Sequence, residues 1–134
     1  MIIEIENLSK VYPNGNHALK EINLKFGKGM FGLLGPNGAG KSTLMKIMVA
    51  LLKPSSGRVL IDGKDIQYHR KFLRGMLGYL PQDFRFFSSL KTWEFLDYSG
   101  ALTGLKNNKK RMSEVDRLLD QVGLFEVRDR QANK

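Results

Sequence analysis

Residues 35–43 read Gly-Pro-Asn-Gly-Ala-Gly-Lys-Ser-Thr, and this run constrains the fold more than any bulk property of the chain. It fits the phosphate-loop pattern G-x-x-x-x-G-K-[ST], which works only between a buried strand and a helix. Both flanks have the required character. Met30-Phe31-Gly32-Leu33-Leu34 is an unbroken apolar run bounded by glycines, as expected of a strand covered on both faces. Beyond the loop, Leu44, Ile47, Met48, Leu51 and Leu52 recur at helical spacing, and Val49 and Ala50 leave little polar surface, so a core helix is expected up to Pro54. Each residue type in the loop has a physical task. Glycines let the backbone turn with positive φ and bring consecutive amides close to an anion. The helix starting near Lys41 adds unpaired N–H groups and the positive end of its dipole. Lys41 places a full charge on the terminal phosphates, Ser42 offers a hydroxyl to Mg²⁺, and Thr43 reaches a more interior phosphate oxygen. The competing reading is a glycine-rich turn with a solvated lysine. A chance match at four fixed positions should occur in under about one in a hundred chains this short, so the loop is read as a nucleotide site.

The rest of the chain supplies a scaffold for such a loop. Ile3 and Ile5 alternate with Glu4 and Glu6, the period of a half-buried strand. Ile22, Leu24 and Phe26 alternate with Asn23 and Lys25, and Pro13, Asn14 and Gly15 supply turn chemistry between, which predicts an antiparallel pair. Arg58 to Ile61 reads as a short strand closed by Asp62-Gly63, and Leu77 to Leu80 as another, stopped by Pro81. The period then changes. Thr92 can cap a helix running to about Leu102, and Met112, Val115, Leu118, Leu119 and Val122 mark an amphipathic helix that Gly123 can end. No internal repeat or low-complexity segment interrupts this order.

Composition narrows the class further. With 134 residues, one domain is the most the chain can hold. It contains no cysteine, which excludes a disulfide framework and a Cys-based zinc site and points to a reducing compartment. No apolar run approaches the ~20 residues that cross a bilayer, and the start lacks the features of a signal peptide, so a soluble, intracellular protein is expected. The net charge is +9, but it is scattered. Its densest cluster, Lys106, Lys109, Lys110 and Arg111, has no interleaved aromatic platform and precedes a helical pattern, so it reads as a solvated helix start and no nucleic acid is expected. His17 and His69 have no His, Cys or paired carboxylates at ligand spacing and are read as non-catalytic.

The wording GPNGAGKSTL, preceded by LSKVY and followed by LLKPSSGRVLIDG and GYLPQ, resembles the nucleotide-binding domain of ABC transporters over essentially the whole chain. The resemblance implies an α/β P-loop NTPase of ABC type. In it, an antiparallel β-subdomain and a Walker A strand-loop-helix core span about 1–82, and the Q-loop with the start of the helical subdomain spans about 83–134. ATP and Mg²⁺ are the implied cofactors. Gly35, Asn37, Gly38, Ala39 and Gly40 are the implied cradle, with Lys41, Ser42 and Thr43 on the phosphates and metal. Tyr12 resembles the aromatic residue on which adenine stacks. Gln82, after Leu80-Pro81, resembles the Q-loop glutamine that contacts the metal and the attacking water, a role suited to a neutral amide that both donates and accepts. Phe84, Phe86, Phe87, Trp93 and Phe95 form either local core for the helical segment or, as the resemblance implies, part of a docking patch for the membrane-embedded partner.

In that family the LSGGQ-type signature, the strand carrying the catalytic carboxylates and the switch histidine follow the point where Lys134 stands. The expectation is therefore a truncated domain holding the binding half of the site, with uncovered apolar surface near Leu33 and Leu34 and turnover no faster than a Lys41→Ala control. The implied setting is the cytoplasmic face of a cell membrane. Transmembrane permease subunits and a second, head-to-tail ATP-binding domain are the implied partners. A non-transport ABC ATPase acting on nucleic acid or ribosomes is the alternative, and a nucleotide kinase a third, opposed by Tyr12 and the YLPQ segment.

Overall fold

A computed structural model describes residues 1–82 and 89–132. The chain divides into two compact units, Met1–Tyr79 and Leu80–Lys134. In the first, β1 (Ile3–Val11) pairs antiparallel with β2 (His17–Phe26) on one side and with β3 (Ser56–Ile61) on the other, and β3 pairs with the two-residue β4 (Lys64–Asp65). The alternation seen in the sequence fixes which face is buried. Ile5 points into the core, while Glu4 and Glu6 point out to ion pairs with their cross-strand neighbours Lys25 (2.9 Å) and Arg58 (2.7 Å). A bulge after Ile5 shifts the phase, so that Leu8 is the next buried residue. Asn7, with positive φ, takes up the extra residue, and its amide donates to Asn23 Oδ1 at 2.8 Å.

Helix α1 (Lys41–Met48) buries Leu44 and Ile47 among Ile5, Leu8, Leu19, Val59 and Ile61. It stops earlier than its apolar spacing predicts. Ala50 turns into the left-handed region at φ 56°, its amide donates to Ile47 C=O, and the Leu51 amide reaches back to Lys46 C=O. This is the paired-bond stop of a Schellman motif, with alanine where glycine is usual. Leu51 is left 66% exposed instead of lining the core. Because alanine pays a steric penalty there that glycine does not, Ala50→Gly should raise the unfolding free energy by about 0.5–1 kcal/mol. Urea denaturation checks this, and a loss of stability would contradict it.

Two predicted strands do not form. Met30–Leu34 is not part of the four-stranded sheet, whose order is β2-β1-β3-β4, and Leu34 is 92% exposed. Leu77–Leu80 is likewise unpaired, with Leu80 81% exposed. An extended run becomes a strand only when a neighbour accepts and donates its backbone hydrogen bonds, and no described residue does so for either run. A short helix, α2 (Arg70–Arg74), was not predicted; it inserts Leu73 into the core.

The second unit is a helical hairpin. Helix α3 (Thr92–Leu102) is capped one residue earlier than expected, because the Glu94 carboxylate accepts the Lys91 amide at 2.8 Å while the Thr92 hydroxyl donates to Arg130 C=O. Helix α4 (Asn108–Gln121) begins at Asn107, whose side chain accepts the Lys110 amide, and ends at Gly123 with φ 70°. Val115 and Leu119 are buried, and Trp93 and Phe95 half-buried; Phe84, Phe86 and Phe87 lie outside the described residues. Within the basic cluster, Arg111 departs from the solvated reading. It forks onto Asp97 of α3 at 2.6 and 3.3 Å and donates to Leu105 C=O, joining the two helices, whereas Lys106, Lys109 and Lys110 are exposed.

Candidate nucleotide-binding site

Helix α1 opens at Lys41, so the first amides of the helix have no carbonyl one turn back to bond. Gly38 at φ 84° and Gly40 at φ 87° bend the preceding residues, and the bend is closed by the Ala39 amide donating to Pro36 C=O at 3.2 Å. The Leu44 amide is the first to bond within the helix, to Gly40 C=O at 2.9 Å. On either side of the Ala39 bond and up to the Leu44 bond, the amides of Gly38, Gly40, Lys41, Ser42 and Thr43 meet no acceptor among the described residues. The Lys41 ammonium folds across the loop and donates to Gly35 C=O and Pro36 C=O, each at 2.6 Å. Residues 35–43 contain no carboxylate. Donors and a cation are thus gathered in one bend with no acidic side chain of its own to occupy them, which is the chemistry that receives an anion.

The loop rests directly on β2. A Cβ on Gly40 would lie 2.3 Å from the Ala18 carbonyl oxygen and 2.9 Å from Leu19 Cδ2, so only glycine lets the backbone come this close. Tyr12 is brought to the same place from the β1–β2 turn. Its amide donates to Asn16 C=O, and its hydroxyl lies 3.1 Å from Thr43 Oγ1. Lys10 was missed by the sequence reading. Its ammonium stands 5.6 Å from the Tyr12 ring centroid and donates to Lys53 C=O at 2.8 Å. No strand periodicity signals this contact, because β1 ends at Val11 and Tyr12 belongs to the turn that follows.

Ser42 is exposed at the start of α1. Gln82 is an exposed turn residue of the second unit, and its place in the site rests on the resemblance alone. His17 is exposed in β2, and His69 Nδ1 lies 3.0 Å from Asp65 C=O. Among the described residues no three His, Cys, Asp or Glu side chains cluster as a metal centre. The ionisations that shift belong to exposed ion pairs outside the loop. The hydrogen bond from Arg117 holds Glu114 below the usual carboxylate range, that from Lys91 does the same for Asp129, and the Glu6 carboxylate raises Arg58. Behind the loop, an open hollow of about 440 Å³ is walled largely by Leu24, Leu33, Leu34 and Leu44. The expected apolar surface near Leu33 and Leu34 is present.

A family model described as ABC transporter matches residues 19–134. An ABC transporter ATP-binding protein of Synechocystis is 38% identical over 130 residues, covering 92% of this chain and 36% of the relative. The methionine import ATP-binding protein of Helicobacter pylori is 37% identical over 133 residues, covering 92% and 39%. The chain therefore spans well under half the length of these curated relatives. Among solved structures, the ATP-binding cassette MJ0796, a dimer in a post-hydrolysis state bound to ADP and Pi, superposes with a TM-score of 0.82 at 26% identity, over 98% of this chain and 62% of that one. CbiO1 of Clostridium perfringens, part of an ABC transporter complex, gives a TM-score of 0.74 at 35% identity, over 96% and 53%. With the loop, the helix that follows it and these likenesses in agreement, the chain belongs to the ABC transporter family.

Proposed function

We infer that this chain supplies the phosphate-binding half of an ABC-type ATPase, within an ATP-binding subunit or domain that couples ATP binding and hydrolysis to transport across a membrane. The observation that carries this reading is the set of unpartnered amides at Gly38, Gly40, Lys41, Ser42 and Thr43, gathered beside the Lys41 ammonium. A triphosphate fits them: it brings acceptor oxygens to orphan donors and negative charge to a cation and a helix N-terminus. Lys41 exchanges two neutral carbonyls for charged phosphate oxygens, a gain in hydrogen-bond strength. The backbone of Gly35, Asn37, Gly38, Ala39 and Gly40 forms the cradle, Thr43 takes an interior phosphate oxygen, and Tyr12 offers its ring to adenine. The exposed Ser42 hydroxyl suits Mg²⁺, which when bound neutralises charge on the outer phosphates. Gln82 is the residue assigned to the metal and attacking water.

Residues 1–82 serve as the β-subdomain and phosphate-loop core, and about 83–134 as the Q-loop and helical subdomain. Transmembrane permease subunits and a second ATP-binding domain are the proposed partners, at the cytoplasmic face of a cell membrane. The relatives' own descriptions, an import protein, a transporter-complex component and a dimeric cassette, support this setting. No described helix is long and apolar enough to cross a membrane. The Arg111 fork onto Asp97 removes one cation from the cluster that a nucleic-acid reading would need.

The residues assigned here bind and orient but include no carboxylate to position the attacking water. Phosphate release by the 134-residue chain with Mg²⁺ and ATP should therefore be no faster than by Lys41→Ala. Clear Lys41-dependent turnover would overturn the half-site reading, and ATP binding indifferent to Lys41 would overturn the phosphate site itself.

A further inference from the structure

Three contacts converge on Tyr12, and one of them has no counterpart in the phosphate chemistry. The turn over residues 12–16 fixes the backbone, with the Tyr12 amide on Asn16 C=O and the Gly15 amide on Tyr12 C=O, both at 2.9 Å. Thr43 Oγ1 holds the hydroxyl at 3.1 Å. Lys10 then places a cation 5.6 Å from the ring centroid, and that cation is itself tethered, donating at 2.8 Å to the Lys53 carbonyl in the segment joining α1 to β3. Lys10 and Lys53 are otherwise remote in sequence. Their bond ties the strand that leads into Tyr12 to the chain that leaves the phosphate-loop helix.

We propose that Lys10 is the positioning residue of the nucleobase platform: it fixes the Tyr12 ring and occupies one of its faces, so that a purine stacks on the other. This rests on the reading of residues 35–43 as a triphosphate site. A tyrosine ring has two side-chain torsions, and pinning its tip leaves rotation about the ring axis as the principal freedom. An ammonium over one face opposes that rotation, because turning the ring edge toward the cation exchanges an attractive negative face for a repulsive positive edge. The same cation draws π density toward itself and lowers the repulsion that the opposite face offers to a stacked base. Lys10 touches neither base nor phosphate in this account, and its effect passes through Tyr12.

The role separates base from phosphate in its consequences. Calorimetric titration of the 134-residue chain with ATP and, separately, with inorganic tripolyphosphate, both with Mg²⁺, tests it. Lys10→Met keeps the aliphatic stem and removes the cation. It should weaken ATP by about threefold to tenfold and leave tripolyphosphate unchanged within about twofold, since only ATP carries a base. Lys10→Arg, which keeps a cation over the ring, should bind ATP as the wild type does. Equal weakening of both ligands would assign Lys10 to general charge or to folding, and an ATP affinity indifferent to Lys10→Met, or lost as fully in Lys10→Arg, would remove the positioning role. If the wild type binds tripolyphosphate in a Lys41-dependent way, the phosphate site stands whatever Lys10 does. If it binds neither ligand, the phosphate site and the positioning role fall together.

Discussion

Gly40→Ala is expected to destabilise the first unit by about 3 kcal/mol and to reduce nucleotide binding below detection. The added methyl meets two separate costs. At φ 87° an L side chain crowds its own carbonyl, which costs roughly 1–2 kcal/mol. The new Cβ would also lie 2.3 Å from the Ala18 carbonyl oxygen and 2.9 Å from Leu19 Cδ2. Leu19 is a core residue of β2, so neither neighbour gives way freely, and forcing such overlap costs typically about 1–3 kcal/mol. Relief comes by lifting the loop off the sheet. That movement displaces the first amides of α1, which is why binding and stability fail together. Thermal unfolding and ATP titration read the two losses. A variant with unchanged melting temperature would mean that the loop does not sit against β2. The neighbouring Gly38→Ala is the control: it shares positive φ, 84°, but its Cβ meets nothing within 4 Å, so it should lose only the conformational part, about 1 kcal/mol.

Lys41→Ala is expected to weaken ATP by roughly a hundredfold while leaving the fold intact. Hydrogen bonds to charged groups contribute about 1.5–3 kcal/mol each when both partners are placed, and Lys41 supplies the loop's only full positive charge. Its two carbonyl partners, Gly35 and Pro36, each keep a second lone pair and lie in an exposed segment, so removing the ammonium leaves no buried polar group unsatisfied. The variant should therefore melt close to the wild type, and the loss of affinity reports phosphate recognition alone. Lys41→Arg should not restore it, because the planar, forked guanidinium does not match a compact ammonium. An affinity within about threefold of the wild type would show that the amides hold the triphosphate without the cation.

The predictions drawn from the sequence succeeded where the information is local. The alternation of Ile3 to Glu6 and of Ile22 to Phe26 dictates which faces are apolar, and Pro13-Asn14-Gly15 dictates where the chain reverses, so β1 and β2 were readable before any pairing was seen. Gly123 ended α4 as expected. The phosphate loop was legible for the same reason: its glycines, its lysine and its place before a helix are all properties of nine consecutive residues.

Tertiary structure decided whatever depends on a neighbour distant in sequence. Met30–Leu34 and Leu77–Leu80 have strand-like sequences and no paired strand beside them. Apolar composition sets a tendency to be covered, but a ladder needs a second backbone. Arg111 looked like one of four solvated cations until α3 and α4 packed and brought Asp97 to it. Lys10 acquired a task only when folding set it over Tyr12 and beside the Lys53 carbonyl. The sequence by itself determined the local bend that can receive a phosphate and the antiparallel pair of β1 and β2. Which side chains hold that bend, and which apolar faces remain open behind it, were decided by the fold, because those contacts join residues that chain order keeps apart.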